Sequence, residues 1–277
     1  MKLISKITLC LSFILCPFLS QGQVGIGTDA PEGMLDMQFN NSTGFVFPKV
    51  ALTSTILASP VVNPNGGAIV EGTVVFNTNT TTTGSNDVSP GIYAWNGSQW
   101  NPQFLRQDSE LFEQTTLGVR TVTGDTSYNT GSSNWAEIPG LGTGTSFTPK
   151  YTGTYRIKGN FNFAAGRINL PVSGDIEMAT MEGLFRFTFN GTPYLMYTHS
   201  YSIYNDGING GTYYEQFKHD TSMVLYVNLT AGQTYNFKLE IDIFVADHFV
   251  DNGNSGDGRG YVGVGGLPCA IEFTFID

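Results

Sequence analysis

Five stretches of this chain place an apolar residue at every second position, the period that gives a β-strand one apolar face. In Thr154 to Ala164 the apolar Tyr155, Ile157, Phe161 and Phe163 alternate with Arg156, Lys158, Asn160 and Asn162. Phe185, Phe187 and Phe189 repeat the pattern, and Asn190-Gly191 follows with the residues that a tight hairpin turn requires. Met223, Leu225, Val227 and Leu229 run to a turn at Ala231-Gly232, after which Tyr235, Phe237, Leu239, Ile241 and Ile243 continue the alternation. Cys269, Ile271, Phe273 and Phe275 make a final strand. No stretch beyond residue 22 sustains a long helical period. Strands that each carry one apolar face bury those faces in a sandwich or a barrel, so the expected fold is all-β.

The first residues read as an export signal. Lys2 and Lys6 precede a short apolar run from Ile7 to Leu19, and Ser20-Gln21-Gly22 puts small residues where cleavage would leave Gln23 as the new start. The run is too short for a permanent membrane anchor, and no later segment has the apolar length of a membrane helix. Cys10 and Cys16 each follow a leucine rather than the small residue of a lipidation site. The mature protein is therefore expected to be soluble, secreted or displayed on the surface of a Gram-negative cell. Removing Lys2 and Lys6 takes the formal net charge of −10 to −12, which argues against nucleic acid or anionic lipid as a partner. Cys269 would then be the one remaining cysteine, expected to be a buried structural thiol.

Composition divides the rest. Residues 23–104 are rich in Gly, Asn, Thr and Pro. Their short apolar runs, Gly44 to Pro48 and Gly72 to Phe76, are of strand length, with loops over Asn63 to Gly67 and Thr80 to Asn86. This region offers a thin core of its own, which partner chains would complete. Residues 105–110 read as a linker and 111–277 as the longer-stranded domain.

Two resemblances sharpen this division. Val24-Gly25-Ile26-Gly27-Thr28, continuing through Pro31 and Leu35-Asp36-Met37, resembles the opening of a region shared by exported proteins of Bacteroidetes-type bacteria and phage tail-fibre segments. Pro90-Gly91-Ile92-Tyr93-Ala94-Trp95-Asn96-Gly97-Ser98-Gln99-Trp100 is similar to the close of that region. The resemblance implies a trimeric neck. In the second part, Phe147-Thr148-Pro149, Thr152 to Ile157 and Leu229-Thr230-Ala231-Gly232-Gln233 resemble motifs of the C1q/TNF-like jelly roll. That implies a jelly-roll β-sandwich, preceded here by a Gly/Asn/Thr-rich β neck, and again a homotrimer.

Catalytic patterns are hard to find. The sequence has no H-E-x-x-H, G-x-S-x-G or Cys-x-x-Cys. His199, His219 and His248 lack ligand spacing, and His199 alternates with Tyr197 and Tyr201 on one strand face as a structural histidine. Glu240 and Asp242 share a strand face with Lys238, which reads as a solvated outer face holding a local ion pair. Glu177 and Glu182 are expected in a loop or strand edge. The glycine clusters at Gly140 to Gly144 and Gly256 to Gly266 open no helix and so are not phosphate cradles. Asp251 to Gly258 carries oxygen donors in a turning loop, which makes Asp251 and Asp257 weak candidates for calcium, although Gly253 and Val262 depart from the helical calcium loop. No other cofactor is implied.

Tyr194, Tyr197, Tyr201, Tyr204, Tyr213 and Tyr214 gather six of the chain's 13 tyrosines. Together with His199 they are the candidate binding or interface residues, facing another subunit or a ligand. The sequence is thus read as a non-catalytic binding or adhesion protein whose ligand is an extracellular protein or a glycan. A structural subunit of an extracellular filament is the alternative, and a glycan-active enzyme on a jelly-roll scaffold is a further one.

Overall fold

The computed structural model describes residues 23–38, 42, 44–123, 135–170 and 176–276. Residues 1–22, which the sequence reading takes as an export signal, lie outside them, with Cys10 and Cys16. The chain divides into two units, Met1–Pro48 and Lys49–Asp277. In the first, β1 (Val24–Ile26) pairs in parallel with β2 (Leu35–Met37). Apolar side chains of this unit are exposed: Val24, Ile26, Met34, Leu35, Phe45 and Val46 are each between 47% and 73% exposed. Gly44 to Pro48, of strand length in the sequence reading, forms no strand.

The second unit begins with a four-stranded sheet in which β3 (Lys49–Val50) lies beside β4 (Val74–Asn77), followed by β5 (Gly91–Trp95) and β6 (Trp100–Pro102). Contrary to the thin core expected of residues 23–104, this sheet has an apolar centre of its own. Leu52, Ile69, Val75, Val88, Tyr93, Trp95 and Trp100 are all buried there. The two tryptophans meet edge to face at 5.2 Å, and Trp100 Nε1 donates to the Leu57 carbonyl at 2.9 Å. Fully buried Asn77 clamps the loops: its Oδ1 accepts from Leu52 N, and its Nδ2 donates to the carbonyls of Asn79 and Ser89. Asn79 N also donates to Oδ1, and a side chain that satisfies four backbone groups in this way replaces water where the loops leave the ladder.

The remaining strands are β7 (Ser109–Glu113), β8 (Val119–Arg120), β9 (Ala136–Glu137), β10 (Ser146–Phe147), β11 (Gly153–Ala164), β12 (Ile176–Phe189), β13 (Thr192–Asn205), β14 (Thr212–Tyr214), β15 (His219–Leu229), β16 (Tyr235–Val245), β17 (Tyr261–Val262) and β18 (Ala270–Phe275). They form two six-stranded sheets. One runs β10-β16-β12-β13-β14 with β9 also beside β16; the other runs β7-β18-β11-β17-β8 with β15 on the free flank of β11. The sheets share one core in which Phe273 stacks on Phe147 at 4.3 Å and meets Phe237 at 5.2 Å. The chain crosses repeatedly between the sheets, so the fold is an all-β sandwich with jelly-roll connectivity. Among the described residues there is no α-helix, only three short 3₁₀ turns.

Asn190 and Gly191, with φ of 46° and 83°, make the tight turn between β12 and β13. The turn at Ala231-Gly232 does something else. It joins strands of different sheets, because β15 pairs with β11 while β16 pairs with β12. Glu177 and Glu182 lie in β12, which is paired on both sides at Glu182, rather than in a loop.

Candidate functional site

Among the described residues, two neighbouring strand edges are left without a further strand partner on one flank of the sandwich. Of β13, only Ile203 to Asn205 pair with β14, so Thr192 to Ser202 present an unpaired edge. In the opposite sheet β15 is paired with β11 alone. The flank carries Leu195, Tyr197, Val224 and Tyr226, exposed by 57%, 43%, 51% and 65%. Unpaired backbone beside exposed apolar side chains is the arrangement that invites another chain.

The candidate tyrosines separate into two sets because successive side chains of a strand point to opposite faces. Tyr204 is buried, and its hydroxyl donates to Asp206 Oδ1 at 3.2 Å while its ring meets Tyr213 at 5.0 Å. Burial, reinforced by Asp206, raises the Tyr204 pKa above the ordinary phenol value. Tyr194 packs against Phe187 at 6.4 Å, and Tyr213 lies under the Arg167 guanidinium at 4.9 Å. These three belong to the margin of the core. Tyr214 is exposed on β14.

Tyr197, His199 and Tyr201 share the other face, as the alternation predicts. Tyr197 lies 5.6 Å from the His199 ring, and Tyr201 stacks on Phe217 at 5.0 Å. Sequence reading missed the last two members of this group, Phe217 and His219. His219 starts β15, yet its ring meets His199 at 4.9 Å and Tyr201 at 5.5 Å. The crossing from one sheet to the other delivers it there, fixed by Ser200 Oγ donating to the Phe217 carbonyl at 2.6 Å. A recess of about 380 Å³ opens beside both histidines, with Lys218 and Asp220 on its rim.

The calcium candidates do not converge. Asp257 Oδ2 receives Arg167 Nη1 at 2.8 Å, while Asp251 accepts from Ser255 Oγ within its own turn. Hydrogen bonding to Glu215, which outweighs burial, raises the Arg167 pKa further, so the cation that occupies Asp257 is permanent. Among the described residues no group of three or more His, Cys, Asp or Glu side chains gathers as a metal site.

Glu240 and Asp242 require a correction. They are 3% and 2% exposed, not solvated. β9 pairs along the edge of this part of β16, with Glu137 opposite Glu240 and Ala136 opposite Ile241. The expected ion pair is present and larger than anticipated: Glu240 takes Arg186 at 2.7 Å and Lys238 at 2.8 Å, and Arg186 also lies over the Trp135 ring at 4.1 Å. A carboxylate held between two cations is a structural tie. Cys269 is fully buried, and that burial pushes its thiol up to about 12, which leaves it unreactive at neutral pH.

Residues 25–148 match the family model described as a phage tail like trimerisation region. Among solved structures the chain is similar to the globular domain of zebrafish complement 1qA protein, at 12% identity over 62% of this chain and 98% of that one, with a TM-score of 0.26. It is also similar to the stem and receptor binding domain of the spike protein P1 from bacteriophage PM2, at 13% identity over 73% of this chain and 82% of that one, TM-score 0.20. A third is infectious bursal disease virus Gx strain, at 12% identity over 78% and 46%, TM-score 0.33. A sequence search of curated proteins finds no match.

Proposed function

We propose that this chain is a homotrimeric, non-catalytic binding or adhesion protein exported from the cell, with residues 23–104 as a trimerising neck, 105–110 as a linker and 111–277 as the binding head. The observation that carries the reading is the match of residues 25–148 to a trimerisation region. The exposed Val24, Ile26, Met34, Leu35, Phe45 and Val46 support it. A two-stranded ribbon with bare apolar side chains gains little by folding alone, and burial against two further copies supplies what it lacks.

The open edges of β13 and β15 give the head a second surface for the same assembly, with Leu195, Val224 and Tyr226 as contact residues. Buried and doubly paired Glu240 and buried Cys269 support a non-catalytic head. Two experiments test the proposal. Sedimentation of Ile26→Asp/Leu35→Asp chains is expected to show weaker trimers than the parent, and an unchanged assembly would remove the neck from the account. Glycan and extracellular-protein arrays probed with the parent trimer are expected to give saturable binding. Silence on both arrays would favour a filament or matrix subunit.

A further inference from the structure

We infer that His199 and His219 form a two-imidazole site for an exchangeable divalent transition-metal cation of the zinc class, at the flank where β13 and β15 meet. The rings come from different sheets, with centroids 4.9 Å apart and planes at 84°. A cation that takes one nitrogen from each ring at about 2.1 Å stands roughly 3.2 Å from each centroid, which puts the two centroids roughly 4.5 to 5.2 Å apart for tetrahedral to right-angled geometries. The rings meet edge to face with a separation inside that window, so a shared cation requires the rings to turn about their Cβ–Cγ bonds rather than the strands to move.

The chemistry of the surroundings agrees. Among the described residues the contacts of the two imidazoles are ring contacts with Tyr197, Tyr201 and each other, with no described hydrogen bond or ion pair to either ring. Tyr197 packs against His199 and Tyr201 against His219, which restricts both rings, as supporting residues around a metal do. The recess beside the rings leaves room for the water that completes the coordination sphere. Asp220 stands on the same rim, where Lys218 Nζ holds its carboxylate at 2.8 Å. Neutral imidazole suits zinc, copper and nickel, whereas calcium and magnesium require oxygen donors. With two protein ligands instead of four, the bound cation exchanges rather than serving as a structural clip.

The test is a zinc titration of the untagged full chain in competition with a chromophoric chelator, with thermal unfolding measured in parallel. Saturable uptake of one zinc per chain is expected. His199→Ala and His219→Ala should each weaken it by at least about tenfold, while His248→Ala, on the connection that follows β16, leaves it unchanged. His199 is exposed, so its variant remains decisive if His219→Ala fails to fold. No saturable uptake, uptake that survives both single variants, or equal loss with His248→Ala would overturn the assignment.

Discussion

Replacing Asp87 with alanine removes the acceptor that ties the four-stranded sheet to the sandwich. Asp87 is 7% exposed and receives Thr81 Oγ1, Thr83 N, Thr83 Oγ1, Gly84 N and, from across the junction, Thr152 Oγ1, at 2.7 to 3.2 Å. Thr152 Oγ1 in turn accepts from Ala231 N at 3.0 Å. Hydrogen bonds to a charged acceptor contribute about 1.5–3 kcal/mol each, but donors at the exposed rim recover water, so a net loss of about 3 kcal/mol is expected. For a unit of this size that lowers Tm by roughly 6–12 °C.

The pH dependence provides a second check. Burial acts to raise the Asp87 pKa, but the hydrogen bonds from Thr152, Thr83, Thr81 and Gly84 together outweigh it and hold the carboxyl below its usual value. A folded pKa below the unfolded one means that the unfolded chain binds more protons between the two. The contribution is therefore complete above the unfolded value of about 3.9 and is lost as pH falls through the lower folded value. Melting followed by circular dichroism should show a constant gap between parent and Asp87→Ala from about pH 5 to 8, narrowing below about pH 4. A Tm within about 1 °C of the parent at neutral pH, or a gap that does not change in acid, would refute the reasoning.

Other variants test separate parts of the account. Glu240→Ala removes the carboxylate partner of Arg186 and one of the two carboxylates beside Lys238, both cations being partly exposed, and should cost about 1–3 kcal/mol in equilibrium denaturation; a loss below about 0.5 kcal/mol would contradict the structural tie. In a Cys10→Ser/Cys16→Ser chain, Cys269 should resist a thiol reagent at neutral pH and react once denatured, and prompt labelling of the native form would count against its burial. Millimolar calcium should leave Tm within about 1 °C, since Arg167 occupies Asp257; a larger rise would restore the Asp251 to Gly258 loop as a calcium site.

Alternation carried most of the sandwich. It located β11, β12, β15, β16 and β18, because a period of two is a property of each strand alone. It said which residues share a face and nothing about what covers that face. Glu240 and Asp242 do point away from Leu239 and Ile241, but whether that side meets water depends on Trp135 to Glu137, about a hundred residues earlier. The same limit hid the pairing at Ala231-Gly232: two amphipathic strands joined by a tight turn look alike whether they pair in one sheet or pass to the other.

The histidines show the limit most clearly. His199 was legible as a face-mate of Tyr197 and Tyr201, but no local spacing links it to His219, which arrives by a crossing between sheets. The tyrosine cluster was legible as a cluster, and strand alternation then sends Tyr204 inward and Tyr197 outward. Near the N-terminus, Leu52, Val75, Tyr93, Trp95 and Trp100 are too far apart in sequence to read as one core, which is why that region looked emptier than it is.

The central claim is the homotrimer, and native mass spectrometry of the purified chain at micromolar concentration tests it most directly. The account predicts one species of three times the single-chain mass, which is 30.1 kDa for residues 1–277. A single-chain mass under the same conditions would contradict it.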